Sequence, residues 1–114
     1  MSYKSAYTLE QRQAQFKKLN DRFPDKILII VEQAKNSQIE QLLKNKFILS
    51  VETTVGEVLE LIRSIIQLRK DQAIFLYTKG VLPSASKTLS QIYPKYKDED
   101  GFLYIVYAGE TAFG

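Results

Sequence analysis

Apolar positions along this chain change period several times, and each change marks an element. From Leu9 the apolar residues Leu9, Phe16 and Leu19 form a thin stripe at helical spacing. Thr8-Leu9-Glu10-Gln11 opens it as a capping box, the Thr8 hydroxyl reaching the Gln11 amide and Gln11 reaching back. A helix over 9–22 is predicted, riding on a domain rather than forming its centre. Pro24 ends it by biasing Phe23 out of the helical region. Residues 26–33 (KILIIVEQ) are a continuous apolar run of strand length, apolar on both faces, as in a central strand. Residues 36–45 are polar, with Ile39, Leu42 and Leu43 spaced for one short helical turn. Residues 46–51 (KFILSV) alternate, with Phe47, Leu49 and Val51 on one face and Lys46, Ile48 and Ser50 on the other.

A second capping box, Thr54-Val55-Gly56-Glu57, opens a helix reaching to about Leu68. At ~100° per residue its apolar positions cover an arc of roughly 180°, wider than a one-sided helix requires. Val58, Ile62 and Ile66 suffice to bury it. Leu61, Ile65 and Leu68 form a shoulder that needs a second partner or lies exposed. Residues 73–77 (AIFLY) read as a strand, followed by the tight turn Thr78-Lys79-Gly80. Val81-Leu82 reads as a short returning strand stopped by Pro83. Thr88–Gln91 supplies a third capping box before a helical turn that Pro94 is expected to stop. A charged turn and Gly101 lead into the aromatic and β-branched strand 102–107, and residues 108–114 read as an unpaired tail ending in glycine.

The resulting order is helix, then β–β–α–β–(short β)–β. The crossover through the long helix makes the last strand parallel to the first and central, and in the β-grasp arrangement that this order resembles, 46–51 lies at a sheet edge. That is an α+β fold, the ubiquitin-like β-grasp: a four- to five-stranded mixed sheet with a crossing helix, plus an N-terminal helical extension. The boundaries expected are 1–24 for the extension, 25–107 for the ubiquitin-like domain and 108–114 for a flexible C-terminal tail.

Composition narrows the function. The 114 residues contain no cysteine and no histidine. Thiolate chemistry is thereby excluded, and the usual general base and commonest metal ligand are missing. No cofactor is expected. No segment reaches the ~18 apolar residues of a membrane helix, and the N-terminus lacks the order of a signal peptide, so the cytoplasm is the expected compartment. The net charge of +3 is uneven: residues 1–46 carry nine Lys/Arg against five Asp/Glu. For Lys4, Arg12, Lys17, Lys18 and Arg22 a solvated helix face is the expected reading.

Several blocks resemble a known family. "AIFLYTKGVLPSASKTLSQIYPKYKDEDGFLYIVYAGETAFG" resembles the C-terminal half of the autophagy ubiquitin-like modifiers, the relatives of microtubule-associated protein light chain 3 and the GABA-receptor-associated protein. "RFPDKILIIVEQA" is similar to the family's first-strand motif, "TVGEVLELIR" to its central helix, and "YKSAYTLEQRQAQ" to its N-terminal extension. The resemblance covers nearly the whole chain and rests most specifically on the KDxDGFLY and terminal FG blocks.

It implies conjugation through Gly114 to phosphatidylethanolamine, by way of activating and conjugating enzymes, and a processing and delipidating cysteine protease. The lipidated form would lie on autophagosome membranes. A residue without a side chain next to the reacting carboxylate suits passage through a narrow enzyme channel. The resemblance also implies docking of receptor peptides carrying an aromatic residue and, three positions on, an aliphatic one, added as a strand to 46–51. The matching positions are Leu19, Leu28, Ile30, Lys46, Ile48 and Phe102 around a first pocket. Around a second they are Phe47, Leu49, Val58, Leu61 and Ile62. Lys44 and Lys46 are placed to attract acidic residues of such peptides. The chain departs from the family's usual residues at Leu28 and Ser50 (commonly proline), Val58 (commonly bulkier), Ile65 (commonly basic) and across 68–70, which implies an altered peptide preference.

Other classes fit less well. A ubiquitin-fold adaptor that binds peptides without being conjugated is the nearest rival. An enzyme built on Tyr93, Tyr96, Asp98 and Asp100 lacks a partner base, and these residues read better as turn chemistry. No basic-aromatic interleaving suggests nucleic acid.

Overall fold

The computed structural model describes residues 2–35, 42 and 44–109. Its elements are α1 (Tyr3–Ala6), α2 (Leu9–Arg22), β1 (Lys26–Gln33), β2 (Lys46–Ser50), α3 (Val55–Ile66), β3 (Ile74–Tyr77), α4 (Leu89–Tyr96) and β4 (Leu103–Gly109). The three longer helices start at Thr8, Thr54 and Thr88, each with a complete capping box. Such caps satisfy two orphan amides locally, which is why they can be read from sequence alone. α3 ends where Gln67 turns left-handed (φ 54°).

The sheet order is β2-β1-β4-β3. β1 and β4 run parallel at its centre, while β2 and β3 pair antiparallel at the two edges. This is the ubiquitin-like α+β fold, with four strands. The alternation of β1 sorts the core into two layers. Ile27, Ile29 and Val31 join Val58, Ile62 and Ile66 of α3, together with Leu103, Ile105 and Tyr107 of β4. Leu28 and Ile30 face the other way, into a smaller cluster with Phe102, Tyr3, Phe16 and Leu19. The continuous apolar run of β1 therefore reflects a strand covered on both faces.

Four sequence expectations change. Val81-Leu82 is not a strand: Thr78 and Val81 form one isolated bridge, and Leu82 is exposed. Lys79 and Gly80 are consecutive left-handed residues (φ 49° and 76°), a tight reversal closed by reciprocal Thr78–Val81 hydrogen bonds. Pro83, with no N–H, cannot prolong the pairing. Pro94 does not stop α4, which runs through to Tyr96. The amide it lacks would bond Ser90, an exposed residue whose carbonyl water can satisfy. β4 continues through Ala108 and Gly109, which pair with Phe75 and Ile74, so these two residues belong to the sheet and not to a tail. The fourth change is an added element, the four-residue α1, which packs Tyr3 into the smaller cluster. The helical turn expected over 36–45 lies outside the described residues apart from 42, 44 and 45, as do residues 110–114. Among the described residues no helix is long and apolar enough to cross a membrane.

Candidate functional site

β2 is an edge strand, hydrogen-bonded to β1 on one side, with its other side facing away from the sheet. Register places Ile48 beside Leu28 and Lys46 beside Ile30, on the face covered by the N-terminal helices. Phe47 and Leu49 pair with Ile29 and Ile27, on the face covered by α3. One five-residue strand thus presents side chains to both layers.

The residues assigned to the two pockets separate along the same division. Leu28, Ile30 and Phe102 are buried in the smaller cluster, with Leu19 packed half-buried against it. Phe47, Val58 and Ile62 are buried in the main core, with Leu49 and Leu61 packed half-buried against it. Six of these positions are therefore floor, already removed from water. Leu19, Lys46, Leu49 and Leu61 are half-buried, and Ile48 is 39% exposed. These five are what an incoming strand would touch first. Ile65 is 46% exposed, so the apolar shoulder of α3 does extend into solvent. Gly114 lies outside the described residues.

Lys46 is the one charged side chain in this set. Its ammonium donates to Gln15 Oε1 at 2.6 Å and lies 5.0 Å from the centre of the Tyr3 ring. Burial lowers its pKa below the ordinary lysine value. Lys44 reaches over the Phe47 ring at 5.2 Å. Both cations sit at the start of the free edge.

Several residues that support this site were not visible as such in sequence. Tyr3 is 4% exposed, meets Phe102 edge-on at 5.7 Å, and donates a hydrogen bond from its hydroxyl to Gln15 Oε1. Phe16 meets Phe102 edge-on at 5.3 Å. Arg12, expected on a solvated helix face, is buried instead. It pairs with Asp100 at 2.9 Å and with Asp98 at 3.5 Å. Asp100 also accepts from the Phe102 amide at 2.8 Å and from the Tyr104 hydroxyl. The charged turn before β4 is thus more than turn chemistry: its two aspartates clamp α2, through Arg12, onto the segment that carries Phe102 into β4. Lys4 of α1 adds an ion pair to Asp98. Gly101 completes the clamp, because its φ is +100° and a Cβ there would lie 2.6 Å from the Phe16 ring. The only signal in sequence was the KDEDGFLY block itself, since the Arg12 partnership spans 88 residues.

Among the described residues no group of three or more His, Cys, Asp or Glu side chains could hold a metal ion. What the arrangement offers is an open strand edge with an apolar floor on either side and cations at one end. A ubiquitin-like β-grasp with a two-helix N-terminal extension and a free peptide-sized edge is the class of protein that fold and site define.

Comparison with known proteins narrows the class. A family model described as "Autophagy protein Atg8 ubiquitin like" matches residues 11–114. Autophagy-related protein 8d of Arabidopsis thaliana is 39% identical over 113 residues, 99% of this chain and 94% of that protein. Autophagy-related protein 8 of Candida albicans is 39% identical over 98% of this chain and 83% of its own length. The crystal structure of Trypanosoma brucei ATG8 superposes with a TM-score of 0.90 at 41% identity, covering 96% of this chain and 95% of that one. The chain belongs to the Atg8 family of ubiquitin-like autophagy proteins.

Proposed function

We propose that this protein is a ubiquitin-like modifier that is joined through Gly114 to phosphatidylethanolamine and, on the membrane, docks receptor peptides along the free edge of β2. The observation that carries the docking half is the register of β2. Lys46 and Ile48 border one buried cluster, Phe47 and Leu49 the other, and the edge between them is open to a further strand. A peptide adding to that edge satisfies its own backbone against β2. Its alternate side chains then fall on opposite faces, as an aromatic residue and an aliphatic one three positions later require. The two half-buried shoulders, Leu19 on one side and Leu61 on the other, are the walls such side chains would meet.

Family membership and the chemistry of the last residue support the conjugation half. The Gly114 carboxylate, activated as a thioester on a conjugating enzyme, would be attacked by the ethanolamine amine; an amide forms and the enzyme thiol leaves. The reactive sulfurs belong to those enzymes and to the cysteine protease that would reverse the bond. A chain without Cys or His is suited to be the substrate of that chemistry. The protein would be cytoplasmic until conjugated and on autophagosome membranes afterwards.

Isothermal titration with a synthetic peptide containing a Trp-x-x-Leu core tests the docking site. Micromolar binding by the unmodified protein, weakened at least fivefold in Lys46→Ala and in Leu49→Ala, is expected. Equal affinity in both variants would remove the site from β2.

A further inference from the structure

β4 leaves the sheet between two flanks that carry positive charge. It ends at Gly109, which pairs with Ile74, the first residue of β3. On its other side β1 runs parallel to it, and the Ala34 amide just past β1 donates to the Tyr107 carbonyl at 2.9 Å. Lys35 therefore stands beside the end of β4 on one flank, and the loop 67–73 leading into β3 stands beside it on the other. That loop has its own internal bracing. Gln67 turns the chain left-handed (φ 54°) at the end of α3. The Arg63 guanidinium then donates to the carbonyls of Gln72 at 2.5 Å and Arg69 at 2.8 Å, and the Gln72 side chain accepts from the Arg69 amide at 3.1 Å. Arg63 spends its donors on the loop's own backbone, which leaves the next cations, Arg69 and Lys70, to solvent.

Lys35, Arg69 and Lys70 are all exposed. Arg69 meets Asp71 at 3.3 Å with both side chains largely in water, where an ion pair holds its partners weakly. Lys35 and Lys70 form no ion pair among the described residues. Glu32, the acid within β1, accepts from the Tyr3 amide at 2.7 Å, toward α1. Arg69 and Lys70 also fall within 68–70, where the sequence departs from the family's usual residues, so this charge is not a requirement of the fold.

We propose that Lys35, Arg69 and Lys70 form a docking surface for an anionic bilayer, which orients the conjugated protein with the end of β4 toward the membrane. The inference rests on the conjugation reading above. Five residues span at most about 17 Å, so a lipid joined at Gly114 keeps this end of the sheet within reach of the headgroups. Tethering turns a weak surface attraction into an intramolecular one. The field of the lipid charge decays over about 8 Å at physiological salt, so it acts on the cations nearest the bilayer. Those flank the end of β4. Lys17 and Lys18, by contrast, lie in the half of α2 that leads to the start of β1, at the opposite end of the sheet. Each cation close to an anionic surface shifts the ratio of docked to free orientations roughly fivefold.

The chain has no cysteine, so Gly114→Cys supplies a single thiol for coupling to a maleimide lipid without any conjugating enzyme. NMR of that protein on nanodiscs containing a gadolinium-headgroup lipid reads which amides approach the bilayer. On discs of equal parts phosphatidylserine and phosphatidylcholine, the strongest relaxation enhancements are expected at Lys35 and over 68–72, with weak ones at Lys79, Gly80 and along α2. On phosphatidylcholine alone, or at high salt, the pattern should spread over the surface. Lys35→Ser combined with Lys70→Ser should lower the docked-to-free ratio about twentyfold on anionic discs, and Asp71→Asn should raise it about fivefold. Lys17→Ser combined with Lys18→Ser removes the same charge from α2 and should change the ratio by less than about twofold. Amide spectra establish that each variant is folded; if the Lys35 and Lys70 variant is not, Asp71→Asn decides, and an unchanged ratio there overturns the proposal. Enhancements centred on α2, equal losses in the two lysine pairs, or one pattern on neutral and anionic discs alike also overturn it. Because the coupling is chemical, these outcomes do not depend on whether cells conjugate Gly114. Absence of a lipid adduct in cells is a separate result, which overturns the conjugation reading and with it the role of this surface there.

Discussion

Arg12, Asp98, Asp100 and Gly101 tie the N-terminal helices to the turn before β4, beside the apolar contacts of Tyr3, Phe16 and Leu19. Asp100 is 2% exposed and Arg12 8%, so removing one partner leaves the other charge buried and uncompensated. Arg12→Ala should cost about 3–5 kcal/mol in urea unfolding, against less than 1 kcal/mol for a surface pair such as Lys17–Asp21. Gly101→Ala combines a strained φ with a collision against Phe16 and should also cost several-fold more than an ordinary surface glycine replacement. The same cluster makes stability depend on pH at both extremes. Burial alone would raise the Asp98 pKa, but the hydrogen bonds from Lys4 and the Asp100 amide, with the charges of Lys4 and Arg12, hold it below its ordinary 3.8. Its contribution is therefore present above that value and is lost as pH falls through the lower folded one. Burial, with the charge of Asp100, pushes Tyr3 up to about 12, and burial with the Asp100 hydrogen bond raises Tyr104. The fold prefers both phenols neutral, so their contribution is complete below pH 10 and is lost as pH rises through the folded values. Urea midpoints measured from acid to alkaline pH should fall at both ends, and Arg12→Ala should flatten the acid limb.

Among the elements, those specified by local signals were legible in sequence and those specified by distant partners were not. Thr8, Thr54 and Thr88 announce their helices because a capping box closes within four residues. The all-apolar run of β1 gave its place at the centre, and the β-grasp order of the elements gave β2 its place at an edge. α1 escaped because four residues cannot nucleate a helix unaided; the burial of Tyr3 against Phe102 sustains it. Ala108 and Gly109 have little preference for strands, and they pair only because β3 lies beside them. The floor of the candidate site was visible as apolar periodicity, but Gln15 and Tyr3 were not, since nothing local marks a glutamine that will meet a lysine 31 positions away. α3 carries its own prediction. Ile65 is exposed beyond the arc that the core uses, so Ile65→Arg should change thermal stability by no more than about 0.5 kcal/mol. It should strengthen binding of Trp-x-x-Leu peptides with acidic residues beside the leucine, as titration calorimetry would show.

At the scale of the whole molecule, the sheet sets where its two functional ends lie. The sheet holds the backbone through Gly109, five positions before Gly114, the residue proposed above for conjugation. Five residues span at most about 17 Å, so the proposed conjugation would bring its enzyme or bilayer to the end of the sheet where β4 stops. β2, the proposed docking edge, is the strand farthest from β3 in the sheet order. A peptide added there would lengthen the sheet on the side away from β3 and leave the β3–β4 pairing intact, so the two proposed activities, lipid attachment and receptor docking, need not compete. The most direct test of this account is intact-mass and fragment mass spectrometry of the protein recovered from membrane fractions of cells in which autophagy has been induced. The expected result is a phosphatidylethanolamine adduct located on Gly114 and absent from Gly114→Ala. Recovery of the protein from those membranes with an unmodified Gly114 carboxylate throughout would contradict it.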